Sequence, residues 1–226
     1  MIEFRDVSYS YEENRVLDCV SFRIEKGQCA FLSGPNGAGK STLLRMVNGI
    51  IFPHAGHYFF EGDDISQKRM DDNRYAKKFH QRIGYIWQNP DAQLFCGSVE
   101  EEIAFGPEQM GLSDKEIATR VEDALELFHL SDLRRRVPCF LSGGEKKRTA
   151  IAAIFAMNPA VWTLDEPFAT LDEKTRDWLE LFLMRLKEAG KTIIFSSHDG
   201  TLSHTLPDME LRLDEAHRLQ IIPPSA

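Results

Sequence analysis

The glycine-rich stretch at positions 34–42 constrains the fold of this chain more than any other feature. It consists of Gly34, Pro35, Asn36, Gly37, Ala38, Gly39, Lys40, Ser41 and Thr42. The apolar run just before it, at 29–32, predicts a buried strand, and Leu43, Leu44 and Val47 give the segment after it a helical face. A strand, a loop of this composition and a helix, in this order, match the pattern of a phosphate-binding loop.

The chemistry of this loop suits the phosphates of a nucleotide. Gly37 and Gly39 allow the backbone to come close to phosphate oxygens, so that several N–H groups converge on one anion at a helix N-terminus. Lys40 adds a full positive charge, and the hydroxyl of Ser41 is placed to bind Mg²⁺. We therefore predict that the nine residues of the stretch bind a nucleoside triphosphate, because a chance glycine-rich turn would not match the full pattern in this context.

The composition indicates an ordinary globular protein. The 226 residues, 42% hydrophobic and 27% charged, suffice for one large domain or two small ones. Without an apolar run of bilayer length or a secretory signal, a soluble, cytoplasmic chain is expected. Reduced, buried thiols rather than a metal site are expected for the four scattered cysteines, Cys19, Cys29, Cys96 and Cys139.

The charge distribution argues against nucleic acid as a partner. The net charge is −8, whereas binding to a nucleic acid backbone needs clustered lysine and arginine. Short basic runs at 77–78, 134–136 and 146–148 are most simply solvated faces. The third run lies next to a Ser-Gly-Gly helix start, where it could also add positive field.

The N-terminal third alternates between strands and turns. Apolar and polar residues alternate over 1–30, which predicts an antiparallel sheet. Tyr11 lies where this sheet turns, and it either stacks on a purine ring or simply packs in the strand. A turn at 53–57, containing His54 and His57, and a surface helix over 68–82 are expected to follow.

The middle of the chain is predicted to be mainly helical. Ser98 with Glu101, and Ser113 with Glu116, each have the spacing of a capping box. A third helix begins at 142–144, and such a start is either an ordinary N-cap or a second anion site formed by bare N–H groups. These helices predict a helical subdomain inserted into an α/β core.

Two adjacent carboxylates follow the buried strand predicted at 161–164. Asp165 can hold Mg²⁺, and Glu166 can accept a proton from the water that attacks the γ-phosphate. Parallel sheets collect their ligands at the edge where the strands end, which is where both residues are expected. His198 follows the last buried strand of the core and is either a structural residue or a γ-phosphate contact.

Together these motifs resemble the full set of an ATP-binding cassette (ABC) ATPase, in the order of that family. They are the phosphate loop, Gln88, Leu141-Ser142-Gly143-Gly144-Glu145, Thr163-Leu164-Asp165-Glu166-Pro167, Leu171-Asp172 and His198. The resemblance implies an α/β P-loop NTPase with a RecA-like core, an N-terminal antiparallel β subdomain and an inserted helical subdomain. One domain would then span 1–226, with the core at 1–87 and 159–226 and the helical signature subdomain at 88–158.

The resemblance also implies roles for individual residues, with ATP and Mg²⁺ as the bound groups. Catalysis is assigned to Glu166, His198 and Gln88, and the metal to Ser41, Gln88 and Asp165. Besides the phosphate loop, the nucleotide contacts are Tyr11, which would stack on adenine, Ser142, Gly143, Gly144 and Asp172.

A finer resemblance links the chain to the ATPases of energy-coupling-factor (ECF) importers, which take up vitamins or cobalt and nickel ions. It is carried by the segment 88–95 and by Val99, Ala104-Phe105-Gly106-Pro107 and Gly111-Leu112. The departures are modest: Glu145 stands where Gln is common, and Phe168 and Glu173 stand near positions where Thr and Pro are usual. None of them removes a phosphate, metal or water ligand.

The family resemblance implies two kinds of partner. A second cassette, identical or paralogous, would pair head-to-tail and present its Ser-Gly-Gly start to this chain's ATP. A separate integral membrane subunit would hold the chain at the cytoplasmic face of the membrane. We expect Leu94, Phe95 and Phe105 to form the apolar part of that contact, unless they pack inside the helical subdomain.

Two other classes of protein stay open at this point. A soluble ABC ATPase acting on DNA or ribosomes would usually need a coiled-coil insertion, a zinc module or tandem cassettes, and the sequence shows none. A regulatory module that binds nucleotide without hydrolysing it is disfavoured by the intact carboxylate pair.

Overall fold

Two β-sheets and seven α-helices organise the described residues, 1–169, 171–197 and 206–223 of a computed structural model. The strands are β1 Ile2–Tyr11, β2 Asn14–Ile24, β3 Cys29–Ser33, β4 Ala55–Phe60, β5 Asp63–Asp64, β6 Ile83–Ile86, β7 Val161–Leu164, β8 Thr192–Ser196, β9 Met209–Leu213 and β10 Leu219–Ile222. The helices are α1 Lys40–Val47, α2 Gln67–Met70, α3 Asn73–His80, α4 Val99–Met110, α5 Asp114–Leu127, α6 Gly143–Met157 and α7 Glu173–Glu188.

The smaller sheet is antiparallel, with the strand order β2-β1-β4-β5. Its first hairpin runs from the pair Ile2 and Ile24 to the pair Tyr11 and Asn14, which confirms the alternation over 1–30. His57, expected in a turn, instead lies within β4, which starts two residues earlier at Ala55. The early start is explained by pairing with β1, whose edge satisfies the backbone of 55–60.

The larger sheet positions the candidate site. Its strand order is β10-β9-β3-β8-β7-β6, with parallel pairing throughout except between β9 and β10. The loops that follow β3, β6, β7 and β8 therefore leave the same edge. All four residues of β7 are buried, as a parallel strand covered on both faces requires. β9 and β10 pair antiparallel and form a final hairpin.

The helix starts follow the capping signals, with one difference. Capping boxes are complete at Ser113 and Ser142, whose side chains accept from the N–H groups of Glu116 and Glu145. At α4, Ser98 caps the helix, but the carboxylate of Glu101 accepts from Gly97 instead of completing the box. No strand lies between 88 and 158, so that stretch is helical apart from its loops.

Two expectations for the surface were wrong. Residues 68–82 do not form one helix, because the side chain of Asp72 caps a new helix, α3, and ends α2 before it. The four free cysteines are not all buried: Cys19 and Cys139 are exposed, and only Cys29 is fully enclosed. Cys19 has a left-handed φ of 48° in β2, where the register with β1 shifts, so its side chain faces outward.

An aromatic cluster ties the helices to the larger sheet. Phe128, which ends α5, lies 5.4 Å from Phe155 of α6 and 5.3 Å from Phe182 of α7, measured between ring centroids. Edge-to-face pairs of this kind contribute about 0.5–1.5 kcal/mol each beyond their buried area. Trp162 of β7 also packs on Phe182. The cluster therefore fixes α5, α6 and α7 relative to β7. None of the helices in the described residues combines the length and hydrophobicity needed to cross a bilayer.

Candidate functional site

The phosphate loop lines a cavity of about 270 Å³ at the edge where β3 ends. The lining residues are Val16, Asn36, Gly37, Gly39, Lys40, Ser41, Thr42, Gln88 and Glu166. Two glycines fix the shape of the loop. A Cβ on Gly39 would lie 2.5 Å from the Val16 carbonyl oxygen, and one on Gly34 would lie 2.2 Å from that of Leu213. Both glycines also have left-handed φ angles, so no other residue fits there without moving the backbone.

Lys40 holds its ammonium inside the curve of the loop. Its Nζ donates to the carbonyl oxygens of Gly34, at 2.8 Å, and Pro35, at 3.1 Å. Burial lowers the pKa of Lys40, while the charges of Glu166 and Asp165 act in the opposite direction. The loop therefore presents one cation beside two carboxylates.

The carboxylate pair is fixed by the neighbouring strands. Asp165 and Glu166 are each only 5% exposed. The Ser196 hydroxyl, at the end of β8, donates to Asp165 Oδ1 at 2.8 Å and accepts from the Glu166 N–H at 2.9 Å. The Tyr85 hydroxyl of β6 lies 3.4 Å from Asp165 Oδ2. Glu166 itself has a φ of 46°, a left-handed conformation that is uncommon outside glycine and typical of functional sites.

The oxygen donors around the loop fit a magnesium ion chemically. Mg²⁺ prefers hydroxyl, amide and carboxylate oxygens, and usually takes only one or two carboxylates from the protein. Ser41 and Gln88 both line the cavity, and Asp165 directly precedes the lining residue Glu166. These are the three residues assigned to the metal from the sequence.

Gln88 enters the cavity from a loop that is bonded at several points. The loop follows β6, and a 3₁₀ turn at Pro90–Ala92 closes it. Gln93 accepts from the Trp87 N–H and donates to the Tyr85 carbonyl oxygen. Gln88 therefore leaves an anchored backbone, although its own side chain is exposed.

Some of the predicted nucleotide contacts lie outside this cavity. Gly34, Pro35 and Ala38 belong to the loop but do not line the cavity. Tyr11 is 39% exposed, with its ring edge-on to Tyr9 and its hydroxyl accepting from Arg45. Asp172 accepts from the N–H and hydroxyl of Thr175 and so caps α7. His198 lies outside the described residues.

The Ser-Gly-Gly helix start lies apart from the cavity and faces outward. Ser142 and Gly143 are exposed, and no atom of another residue would lie within 4 Å of a Cβ on Gly143. Leu141 is 6% exposed and anchors this start to the core. The N–H groups of a first helical turn have no acceptor within the helix, so this surface can receive an anion from outside.

The two lysines that follow this start were expected on a solvated face. The structure shows that they do not form one. Lys147 is 5% exposed, and its Nζ donates to the Trp87 carbonyl oxygen at 3.1 Å. Lys146 pairs with Asp91 at 2.6 Å. Both ammonium groups are therefore bonded to the loop that carries Gln88.

Several residues of the site escape a reading of the sequence. Val16, Tyr85 and Ser196 reach the site only through strand pairing, and none of them stands in a motif. His217, in the final hairpin, places Nδ1 3.2 Å from the Ala38 carbonyl oxygen of the phosphate loop. The only sequence signal for Ser196 is its place at the end of a buried run next to the strand that carries Asp165.

A lysine-bearing phosphate loop that faces a strand-end carboxylate pair at one sheet edge is the construction of a P-loop nucleotide hydrolase. Residues 17–169 match the family model described as ABC transporter. The chain therefore belongs to the ABC transporter family, and it is an ATPase of that family.

Two relatives named as transporter ATP-binding proteins match most of the chain. It is 44% identical to the nickel import ATP-binding protein LarO of Lactiplantibacillus plantarum, over 88% of this chain and 83% of LarO. It is 42% identical to the energy-coupling factor transporter ATP-binding protein EcfA of Methanoculleus marisnigri, over 95% of this chain and 76% of EcfA.

Solved structures agree on the fold. The structure of cbiO1 from Clostridium perfringens, part of the ABC transporter complex cbiONQ, has a TM-score of 0.85 and 32% identity, over 99% of this chain and 88% of cbiO1. A dimeric bacterial ABC transporter cassette has a TM-score of 0.88 and 25% identity, over the full length of both chains. These similarities confirm the predicted ABC ATPase fold.

Proposed function

We propose that this chain is the ATP-hydrolysing subunit of an ECF-type importer, which powers uptake of a vitamin or of cobalt or nickel ions through separate membrane subunits. The observation that carries the proposal is the cavity in which Lys40, Ser41 and Gln88 meet Glu166. The relatives LarO and EcfA, named for nickel import and energy coupling, support the importer class.

Nucleotide binding starts from the loop that Lys40 closes. Its ammonium, now bonded to two loop carbonyls, is placed to bond β- and γ-phosphate oxygens, while the helix dipole of α1 and the backbone N–H groups add to the attraction. Tyr11 supplies an exposed ring for the adenine. Mg²⁺, held by Ser41, Gln88 and Asp165, would neutralise charge on the β- and γ-oxygens when bound.

Hydrolysis needs a base next to the γ-phosphate. Glu166 accepts a proton from the attacking water as the new O–P bond forms, and the bond to the β–γ bridging oxygen breaks to release ADP. Gln88 and His198 are assigned to orient the water and the γ-phosphate. The bonds from Ser196 keep the backbone of Glu166 and the side chain of Asp165 in place during this step.

A second cassette would complete the site. One face of the γ-phosphate meets the phosphate loop, which leaves the opposite face for an anion-binding helix start. Ser142 and Gly143 are exposed and do not line their own chain's cavity, which supports head-to-tail pairing in which each chain serves its partner's ATP. Hydrolysis then removes the phosphoryl group that joins the two chains and returns the open state.

The membrane subunit would bind beside the Gln88 loop. Phe95 is 67% exposed and Phe105 is 39% exposed, and the two rings pack edge to face with centroids 4.9 Å apart. The buried carboxylate of Glu102 accepts from the N–H groups of Phe95 and Cys96, so this pair is held outward by a fixed backbone. Exposed aromatic residues on a rigid support are typical of interface centres.

Recovery of a partner from detergent-solubilised membranes tests the proposal. The tagged wild-type chain is expected to retain an integral membrane protein, identified by its spanning segments, that raises ATP turnover when both are placed in vesicles. A double Phe95→Ala, Phe105→Ala variant is expected to lose it, whereas Leu181→Ala, at an exposed apolar position on α7, is expected to keep it. Recovery of ribosomes or nucleic acid instead would contradict the importer assignment.

A further inference from the structure

Two consecutive lysines of α6 hold the loop that carries Gln88, one by a residue before Gln88 in the sequence and one by a residue after it. Lys147 donates to the carbonyl oxygen of Trp87, immediately before Gln88, at 3.1 Å. Lys146 pairs with the carboxylate of Asp91, three residues after Gln88, at 2.6 Å. We call these two contacts the lysine clamp.

The clamp acts on the backbone next to Gln88. The Trp87 carbonyl belongs to the same planar peptide group as the Gln88 N–H, so a bond to it fixes the orientation of that plane. The Trp87 N–H is already bonded to Gln93, which leaves the carbonyl as the free end of the residue. The bond from Lys147 therefore fixes the backbone from which the Gln88 side chain extends.

The burial of Lys147 indicates that its ammonium has a specific structural role. Its side chain is only 5% exposed, and a buried ammonium is costly unless its hydrogen bonds and nearby charges compensate. The negative charges of Asp165 and Glu166 favour its charged form, and its donated bond to the Gln88 loop adds to this compensation. Lys146 is more exposed and pairs with a carboxylate that is 61% exposed, so its share is smaller.

We infer that Lys147, assisted by Lys146, is a positioning residue that sets Gln88 against the phosphate cavity according to the position of α6. The same helix begins at Ser142, the surface proposed to receive the partner's nucleotide. A shift of α6 on dimer closure would therefore move Gln88 in this chain's own site. The inference depends on the proposed role of Gln88 in hydrolysis.

Steady-state ATPase kinetics test the clamp through a double-mutant cycle. Lys147→Met keeps most of the length of the side chain but removes its charge and its donor. In the otherwise wild-type chain it is expected to lower kcat about 10-fold, since a misplaced catalytic group costs up to about 100-fold, with KM within about 2-fold. In a Gln88→Ala background the same change is expected to lower kcat by less than about 2-fold, because the residue on which it acts is gone.

The cycle separates two kinds of failure. If Lys147→Met lowers kcat equally in both backgrounds, Lys147 acts independently of Gln88 and the clamp is wrong. If Gln88→Ala retains wild-type kcat, the proposed role of Gln88 in hydrolysis is wrong. The inference about the clamp depends on that role and is then wrong as well. Thermal unfolding identifies a variant that has lost its fold.

A second pair keeps the test valid if Lys147→Met does not fold. Lys146→Met and Asp91→Asn change the more exposed half of the clamp, and each is expected to lower kcat about 2-fold without a further loss when combined. Multiplicative losses would contradict a shared contact. The matched control is Lys187→Met, a half-buried lysine of α7 that donates to the Leu206 carbonyl, which is expected to lower Tm but leave kcat unchanged.

Discussion

At the scale of single residues, the backbone of Glu166 is the most informative feature. A left-handed φ of 46° at a non-glycine residue costs roughly 1 kcal/mol, and the Ser196 hydroxyl stabilises it by accepting from the Glu166 N–H. Because Glu166 also lines the phosphate cavity, this conformation supports its proposed role as the base.

Replacing Glu166 by Gln tests its role as the base. The variant keeps the size and most contacts of the side chain but cannot accept the proton, so kcat is expected to fall by a factor on the order of 10²–10⁴. Calorimetric titration with a non-hydrolysable ATP analogue is expected to give a Kd within about 3-fold of the wild type. Near-normal turnover by Glu166→Gln would show that another group takes the proton.

Ser196 bonds to both residues of the carboxylate pair, through the side chain of Asp165 and the backbone of Glu166. In Ser196→Ala, Asp165 Oδ1 and the Glu166 N–H each lose a buried partner, which costs about 1–3 kcal/mol per group. We expect a lower Tm and a kcat reduced at least about 10-fold, measured by thermal unfolding and ATPase assay. Ser21→Ala, which removes a surface bond to Asp6 in the other sheet, is the control and should change neither. An unchanged kcat in Ser196→Ala would exclude a positioning role.

The identity of a residue in the sequence predicts its chemical role better than it predicts which residues it contacts in the fold. Lys40, Ser41, Asp165 and Glu166 could be found from the sequence, because their spacing follows from one loop and one strand end. Ser196 could not, since its role depends on β8 lying between β3 and β7, a strand order that no local pattern specifies.

At the scale of elements, local signals predicted helix starts and the apolar face of α1, but they misplaced one residue of α6. Ser113 and Ser142 were correctly identified as caps because capping involves residues three positions apart. Lys147 was expected on a solvated face because the run 146–148 is basic, yet it is buried and bonded to the Gln88 loop. Long-range packing therefore determined which side of α6 is inside.

The burial of α6 makes stability depend on pH through Lys147. Burial lowers the pKa of Lys147 from 10.5 to about 8, against the attraction of Asp165 and Glu166. Between these values the unfolded chain binds more protons than the folded chain, so the free energy of unfolding should rise with pH. For this residue alone the gain from pH 8 to 10.5 is expected to be on the order of 1–3 kcal/mol.

Urea unfolding at several pH values checks this expectation. The wild type and Lys147→Met are compared between pH 7 and 10, where the difference in unfolding free energy should change in favour of the wild type as pH rises. Lys187→Met serves as the control for the loss of a lysine elsewhere. Parallel curves for the wild type and Lys147→Met would mean that Lys147 keeps its ordinary pKa in the fold.

At the scale of the whole molecule, charge opposes the proposed pairing. Each chain carries a net charge of −8, and bound ATP adds further negative charge, so two cassettes repel one another at long range. Association then depends on short-range contacts between a phosphate and a helix start. The dimer is therefore expected to form only with ATP bound and to be favoured when hydrolysis is blocked.

A substitution at Gly143 tests whether the dimer depends on contact between ATP and the helix start, without destabilising the monomer. A Cβ there would meet no atom within 4 Å, and an Asp at this helix start would interact favourably with the dipole of α6, by about 0.3–1 kcal/mol. In a head-to-tail dimer the same carboxylate would face the partner's γ-phosphate. In the Glu166→Gln background, Gly143→Asp is therefore expected to abolish ATP-dependent dimers in light scattering while leaving Tm and monomer ATP binding intact. Ala118→Asp, which adds the same charge to an exposed position of α5, should dimerise normally. Dimers that survive Gly143→Asp would place the helix start outside the interface.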